Sequence, residues 1–427
     1  MTNYRVTDEL HLWWLGRPQS PVPIGTLRLM RTTNGVSLQY APGWRRDGFA
    51  LSEDLPLIDI EQPPLERDAA AGAVDDARPD RWGERVIRFV HHPPRLSLLE
   101  YLFFAGDERF GALGVSTSAD AYRPQRTGAL PTLRDVDELH GLVRKVLDNE
   151  PVPDGKRRLI VPGTTLGGAR PKALIEMAGA PWVVKFAETG APADTPLIEH
   201  ACMTLAASAG IRAAETRPIR LVDGHAVAVR RFDRQGSGRE LRRVHAQSAR
   251  VALRAEGSAM GYPELAQLLR RRAPVERGTA RAYMRELHRR MVFNILLDNT
   301  DDHEQNHVLL MDDAQHLHLA PAFDVLPTAQ AMGYQQMRVG RDAADATIEN
   351  ALSEAALFGL SADEARAEAA EVASVCGGWR AHFANAGVTA SDIDYLSQFI
   401  DREFLLRQRS DLMKRVARTA KGAKRKR

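Results

Sequence analysis

Apolar residues recur along this chain at two periods, and the change of period divides it. Short apolar runs at His11–Leu15, Ile24–Met30 and Val36–Tyr40 are bounded by polar turns, Thr33-Asn34-Gly35 among them, and predict strands. Pro63-Pro64 and the Ala/Asp-rich stretch to Asp76 predict a loop. Pro79-Asp80-Arg81-Trp82 then opens a short helix through Val90. Leu133, Val136, Leu139, Val143 and Leu147 recur every three or four positions and predict an amphipathic helix that Pro151–Gly155 closes. A glycine-rich run, Gly163 to Lys172, feeds two further strands at Ala173–Met177 and Trp182–Phe186. Thr195 caps a helix with Pro196 at its first position, running to Gly210. Asp223-Gly224 predicts a hairpin between Ile219–Val222 and His225–Phe232. From Tyr283 to Ile295, and again beyond Ser353, the period is helical. His307–Met311 and Leu317–Ala320 predict two short strands joined at Asp312-Asp313.

This order predicts an α+β fold in two lobes: a β-rich N-terminal part and a mainly helical C-terminal lobe. The expected boundaries are 1–130 for a β-rich subdomain, 131–240 for a second region with the glycine-rich loop, 241–413 for the helical lobe, and 414–427 for a basic tail. A chain of 427 residues exceeds what one compact core holds, which agrees with several regions.

Composition changes the picture little. Hydrophobic residues at 44% and charged residues at 26% are ordinary for a globular enzyme. Cys202 and Cys376 lie in apolar helical contexts, which favours a reducing compartment over a disulfide framework. No run is long and apolar enough to span a membrane, and the N-terminus lacks a signal-peptide core, so a cytoplasmic location is expected. The net charge of +3 conceals a basic tail without acids beyond Met413. That tail is expected to be a solvated, disordered end.

The chemistry concentrates in residues 298–327. Asp301 and Asn306 stand five positions apart in one polar loop, and Asp324 ends a later apolar stretch. A helix, a D-x-x-x-x-N loop, a hairpin and then an aspartate is the order in which protein kinases present a catalytic base and two metal ligands. Asp301 would accept the proton of a Ser or Thr hydroxyl. Asn306 and Asp324 would hold Mg²⁺ on the phosphates of ATP, and His303 would order the loop and contact the nucleotide. A rival is written over the same residues, because His303 to His307 spells H-E-x-x-H, the signature of zinc hydrolases. That chemistry needs both imidazoles on one face of a helix. The run Asn299-Thr300-Asp301-Asp302 disfavours helix just before it.

Phosphoryl transfer also needs a phosphate cradle and a lysine. Gly167 and Gly168 lack a Cβ to obstruct the approach of phosphate, and Ala169, Arg170 and Lys172 complete the loop with added positive charge. The loop matches no standard phosphate-binding pattern and alone would read as surface. Lys185, set among the hydrophobics of Trp182–Phe186, is the candidate phosphate lysine. Its alternative is an outward-facing strand residue. Glu199 on the following helix could orient it, or could be an ordinary helix-surface charge. Arg231 and Phe232 fall where a kinase hinge would meet adenine.

Taken together, GGARPK, WVVKF, VRRFDR, TDDHEQN and LAPAFDVLP closely resemble the HipA family of serine/threonine kinases, the toxin half of bacterial toxin–antitoxin pairs. GTLRL, ALSEDLPL, RPDRWGERVI and AGDERFGAL are similar to that family's β-rich N-terminal subdomain, so the likeness covers nearly all but the tail. The resemblance implies use of MgATP and phosphorylation of a cellular protein, aminoacyl-tRNA synthetases being the best-known targets. It also implies a small helix-turn-helix antitoxin, through which contact with DNA would be indirect. Thr165 occupies the place of the family's autophosphorylated serine and is the candidate for self-modification. Arg230 replaces a hinge glutamate, and Gln305 a position that is often basic. A catalytically silent module with the same fold is the remaining alternative.

Overall fold

A computed structural model describes residues 4–125, 128–162, 168–276 and 278–424. The chain forms two compact units. One comprises residues 1–188, 220–256 and 309–315, and the other comprises 189–219, 257–308 and 316–427.

The first unit holds the predicted N-terminal strands as an antiparallel sheet: β1 (Glu9–Trp14), β2 (Val22–Met30), β3 (Gly35–Tyr40) and β4 (Leu113–Ser116), in the order β3-β2-β1-β4. Alternation puts Leu10 and Leu12 of β1, Ile24 of β2, and Val36 and Leu38 of β3 into one core with Leu99 and Leu102 of the Leu98–Phe104 helix. A capping box of Ser97 and Glu100 starts that helix.

A second sheet carries the glycine-loop strands, β5 (Lys172–Met177) and β6 (Ala180–Lys185). They pair antiparallel, with Ala173 opposite Val184 and Lys172 opposite Lys185. The strand Thr216–Arg220, here β7, precedes β8 (His225–Arg230), which pairs antiparallel with β6. The turn is the predicted Asp223-Gly224, with Gly224 at φ 75° and its carbonyl accepting from Leu221 N at 3.1 Å. The helix Val136–Leu147 presents His140, which stacks on Phe186 with centroids 5.3 Å apart.

Between the sheets in sequence lies a loop, Gly106 to Ala112, that is caged by arginines. The carbonyl of Arg109 accepts from Arg231, Arg234 and Arg243 at 2.8 to 3.2 Å. The carboxylate of Asp233 accepts from Arg231, Arg234 and the Gly111 amide.

The second unit is mainly helical. Its long helices are Thr195–Ser208, Tyr262–Arg272, Thr279–Leu296, Ala362–Gly377 and Glu403–Lys424. Arg285 and Arg289 of the third pair with Glu368 of the fourth, whose carboxylate is almost fully buried. Two expectations need correction. The helix after residue 190 is capped by Asp194, whose side chain accepts from Leu197 N at 3.4 Å, and not by Thr195. The last helix continues through Lys424, so residues 414–424 are helical where disorder was expected. Among the described residues, no helix is long and apolar enough to cross a membrane.

Candidate functional site

The D-x-x-x-x-N loop begins where the Thr279–Leu296 helix stops. Asp298 takes a left-handed backbone, φ 56°, and its buried side chain accepts from Ala331 N at 3.2 Å and Arg402 at 3.0 Å. Its carbonyl accepts from the Thr328 hydroxyl at 2.8 Å, and that hydroxyl meets the hydroxyl of Thr300 at 2.6 Å. Asn299 is tied back to Asn294 through its amide and its side chain. The base of the loop is therefore fixed before its chemical residues begin.

Asp301 is exposed, whereas Asp302 beside it is buried. Glu304–Asn306 forms a single 3-10 turn, closed by the Asn306 amide on the carbonyl of His303 at 2.9 Å. His303 is extended and its ring accepts from Gln305 N. The H-E-x-x-H pentapeptide is thus not an α-helix, and its histidines do not stand one helical turn apart. His307 instead directs Nε2 to Asp302 at 2.8 Å. Among the described residues, no cluster of three His, Cys, Asp or Glu side chains is disposed to hold a metal. The zinc reading fails on geometry.

Asn306 is 4% exposed. Its amide nitrogen reaches the carbonyl of Asp301 at 3.5 Å, while its Oδ1 is buried without a hydrogen-bond partner among the described residues. A buried orphan oxygen is costly unless something electropositive meets it. A hard, oxygen-seeking cation such as Mg²⁺ suits this donor and the carboxylate of Asp324. Asp324 is partly buried, with φ 58°, an unusual backbone for a residue other than glycine. The strand before it is held by Ala320 N on the carbonyl of Val308 at 2.9 Å, and Ala322 pairs with the segment at 212–214. Phe323 and Val325, which flank Asp324, line the same cavity as Asn306 and Asp302. Asn306 thus lines a cavity of the second unit that the two neighbours of Asp324 also line, and Asp301 lies in the same loop as Asn306. Glu199 belongs to this unit too and is 1% exposed, so it is no solvated helix charge.

The remaining candidates lie in the first unit. Lys185 is 2% exposed, which removes the outward-facing alternative. Gly168 is exposed at φ 85°, a conformation that favours glycine, and Ala169 and Arg170 follow it. Gly167 and Thr165 lie outside the described residues. Two expectations change. Lys172 is wholly buried, its ammonium held by Asp80 and the Gly168 carbonyl, so it anchors the end of the loop and presents no charge beside it. Arg231 is also buried, its guanidinium spent on Asp233 and on carbonyls 108 and 109, so only its backbone remains for a ligand. Phe232 packs edge-on to Phe110 at 5.7 Å.

Sequence reasoning passed over Asp80, Asp298, Asp302, His307 and Tyr262 as supports. Asp80 carried a signal, since its place before Arg81-Trp82 marks a helix cap, and its side chain does accept from Gly83 N at 2.8 Å.

Comparisons with known proteins bear on the family and the fold. A HipA-like C-terminal domain matches residues 164–379, and a HipA N-terminal domain matches residues 20–116. No curated protein matches the chain. Among solved structures, the chain is similar to HipA of the Shewanella oneidensis MR-1 toxin–antitoxin system, solved with HipB and operator DNA. Identity is 17%, the TM-score 0.65, and coverage 96% of this chain and 97% of that one. The Helicobacter pylori proinflammatory kinase CtkA gives 14% identity and a TM-score of 0.44, over 58% of this chain and 93% of that one. With about half of its residues matched by one domain of the family and most of its N-terminal sheet by the other, the chain belongs to the HipA family of kinase-type toxins and has its kinase-like α+β fold.

Proposed function

We propose that this HipA-family chain is an ATP-dependent serine/threonine protein kinase that phosphorylates a cellular protein and so arrests growth. The observation that carries the reading is the pairing, within one short loop, of an exposed Asp301 with a buried Asn306 whose Oδ1 has no hydrogen-bond partner among the described residues. Exposure suits a base that must reach an incoming hydroxyl, and burial suits a ligand that must hold still. Asn306 and Asp324 would hold Mg²⁺, which neutralises phosphate charge when bound. Lys185 would bind the nucleotide phosphates with the Gly168–Arg170 backbone. Glu199 would orient that lysine, and Phe232 with the Arg231 backbone would border adenine. His303 would steady the loop.

The complex of the Shewanella relative with HipB and operator DNA supports a small antitoxin partner, with DNA contacted through that partner. An aminoacyl-tRNA synthetase is the first substrate class to test. Incubating the full chain with γ-labelled ATP, Mg²⁺ and bacterial lysate should label at least one protein. Label should vanish with Asp301→Ala. Transfer that persists in that variant, or no transfer by the parent to any protein including itself, overturns the reading.

A further inference from the structure

The candidate base and the candidate metal ligand of the loop are each followed by a buried polar residue without an assigned role: Asp302 after Asp301, and His307 after Asn306. These two followers meet. His307 Nε2 lies 2.8 Å from Asp302 Oδ2, both side chains being nearly inaccessible to water. The same oxygen accepts the hydroxyl of Tyr262, a fully buried residue at the start of its helix. The Tyr262 ring stands edge-on to His307 with centroids 5.5 Å apart. Asn294 reaches the Tyr262 oxygen at 3.4 Å, and also holds Asn299 at the loop's entry. By contrast, the direct link between the two chemical residues is a marginal one, Asn306 Nδ2 to the Asp301 carbonyl at 3.5 Å.

We propose that Asp302 and His307 form a positioning pair which closes the catalytic loop across its ends and thereby sets the separation of Asp301 and Asn306. The inference rests on the kinase reading. Asp301 and Asp302 are adjacent, and with Asp302 buried against His307 it is Asp301 that stays exposed at the turn. His307 follows Asn306 directly, with φ −111° and ψ 114°, so fixing its ring on Asp302 also fixes the end of the turn that carries Asn306. Packing alone does not explain the pair. A buried Asp–His couple carries a desolvation cost that an aromatic hydrocarbon of similar size would avoid, whereas a directional bond to a fixed carboxylate specifies geometry.

The test uses the full chain and titrates ATP calorimetrically, once with EDTA and once with Mg²⁺. His307→Phe keeps a ring of similar volume and loses the N–H, whereas His307→Gln loses the ring and keeps an N–H donor. The Mg²⁺-dependent gain in ATP affinity should fall about tenfold in His307→Phe and be largely retained in His307→Gln. Affinity in EDTA should be the same in all three. A role in packing alone predicts the reverse ranking, and that ranking, or equal gains, overturns the proposal. A parent chain with no Mg²⁺-dependent gain overturns the kinase reading and this inference together. A parent that gains while both variants match it overturns the inference alone. Should His307→Phe not fold, the isosteric Asp302→Asn serves: a reduced gain supports the pair, and an unchanged gain removes it.

Discussion

Lys172 and Lys185 stand directly opposite one another across β5 and β6, and both are buried. Opposed residues of an antiparallel pair share a face of the sheet, where like charges repel. Lys172 gives its ammonium to Asp80 and to the carbonyl of Gly168. One carboxylate thus offsets the repulsion and fixes the end of the glycine-rich loop.

Asp80 should therefore matter to stability well beyond its place in a short helix. Asp80→Ala removes both the helix cap and the countercharge of a buried ammonium. It should destabilise the first unit by about 3 kcal/mol. Asp80→Asn keeps an acceptor for the cap and should fall between Asp80→Ala and the parent. Urea unfolding followed by the fluorescence of the tryptophans would rank the three.

Asp301→Ala should abolish phosphate transfer while moving unfolding free energy by no more than about 0.5 kcal/mol, because the side chain is exposed. Thermal unfolding beside a labelled-ATP assay separates the two effects. A large drop in melting temperature would mean that the aspartate is a structural prop.

Asp233 is the keystone of the arginine cage. Burial works to raise its pKa, and the guanidiniums of Arg231 and Arg234 override this and hold it at about 2. Asp233→Asn leaves buried guanidiniums without their countercharge and should cost about 3–5 kcal/mol. Hydrogen exchange should show the Gly106–Ala112 loop opening first, since its Gly111 amide loses a charged acceptor.

Asp76 should give the first unit a pH signature. Burial raises its carboxyl from 3.8 to about 6, although bonds from the Ser248 amide and hydroxyl pull the other way. Between these values the folded chain holds a proton that the unfolded chain has released. Stability therefore falls as pH rises from about 4 to about 6, by on the order of 2 kcal/mol. Asp76→Asn should flatten that slope in denaturant titrations at stepped pH. An identical slope in the variant would assign it to other groups.

The sequence by itself determined the elements and the order of the chemistry. Hydrophobic period and turn residues are local signals, so strands such as Val22–Met30 and Lys172–Met177 fell within a residue or two of their expected limits. Asp301, Asn306 and Asp324 stand out as candidates because their spacing along the chain is itself the signal. What only the tertiary structure decided was the partner of each buried polar group. Lys172 finds Asp80 across 92 positions, and the Arg231 guanidinium finds the Glu108 carbonyl across 123. Asp302 and His307, five apart, meet beside Tyr262, whose hydroxyl shares the same carboxylate oxygen and is itself reached by Asn294. Periodicity says which side of an element faces inward, but a buried charge is tolerated only where another segment supplies its complement, and that segment is chosen by the fold.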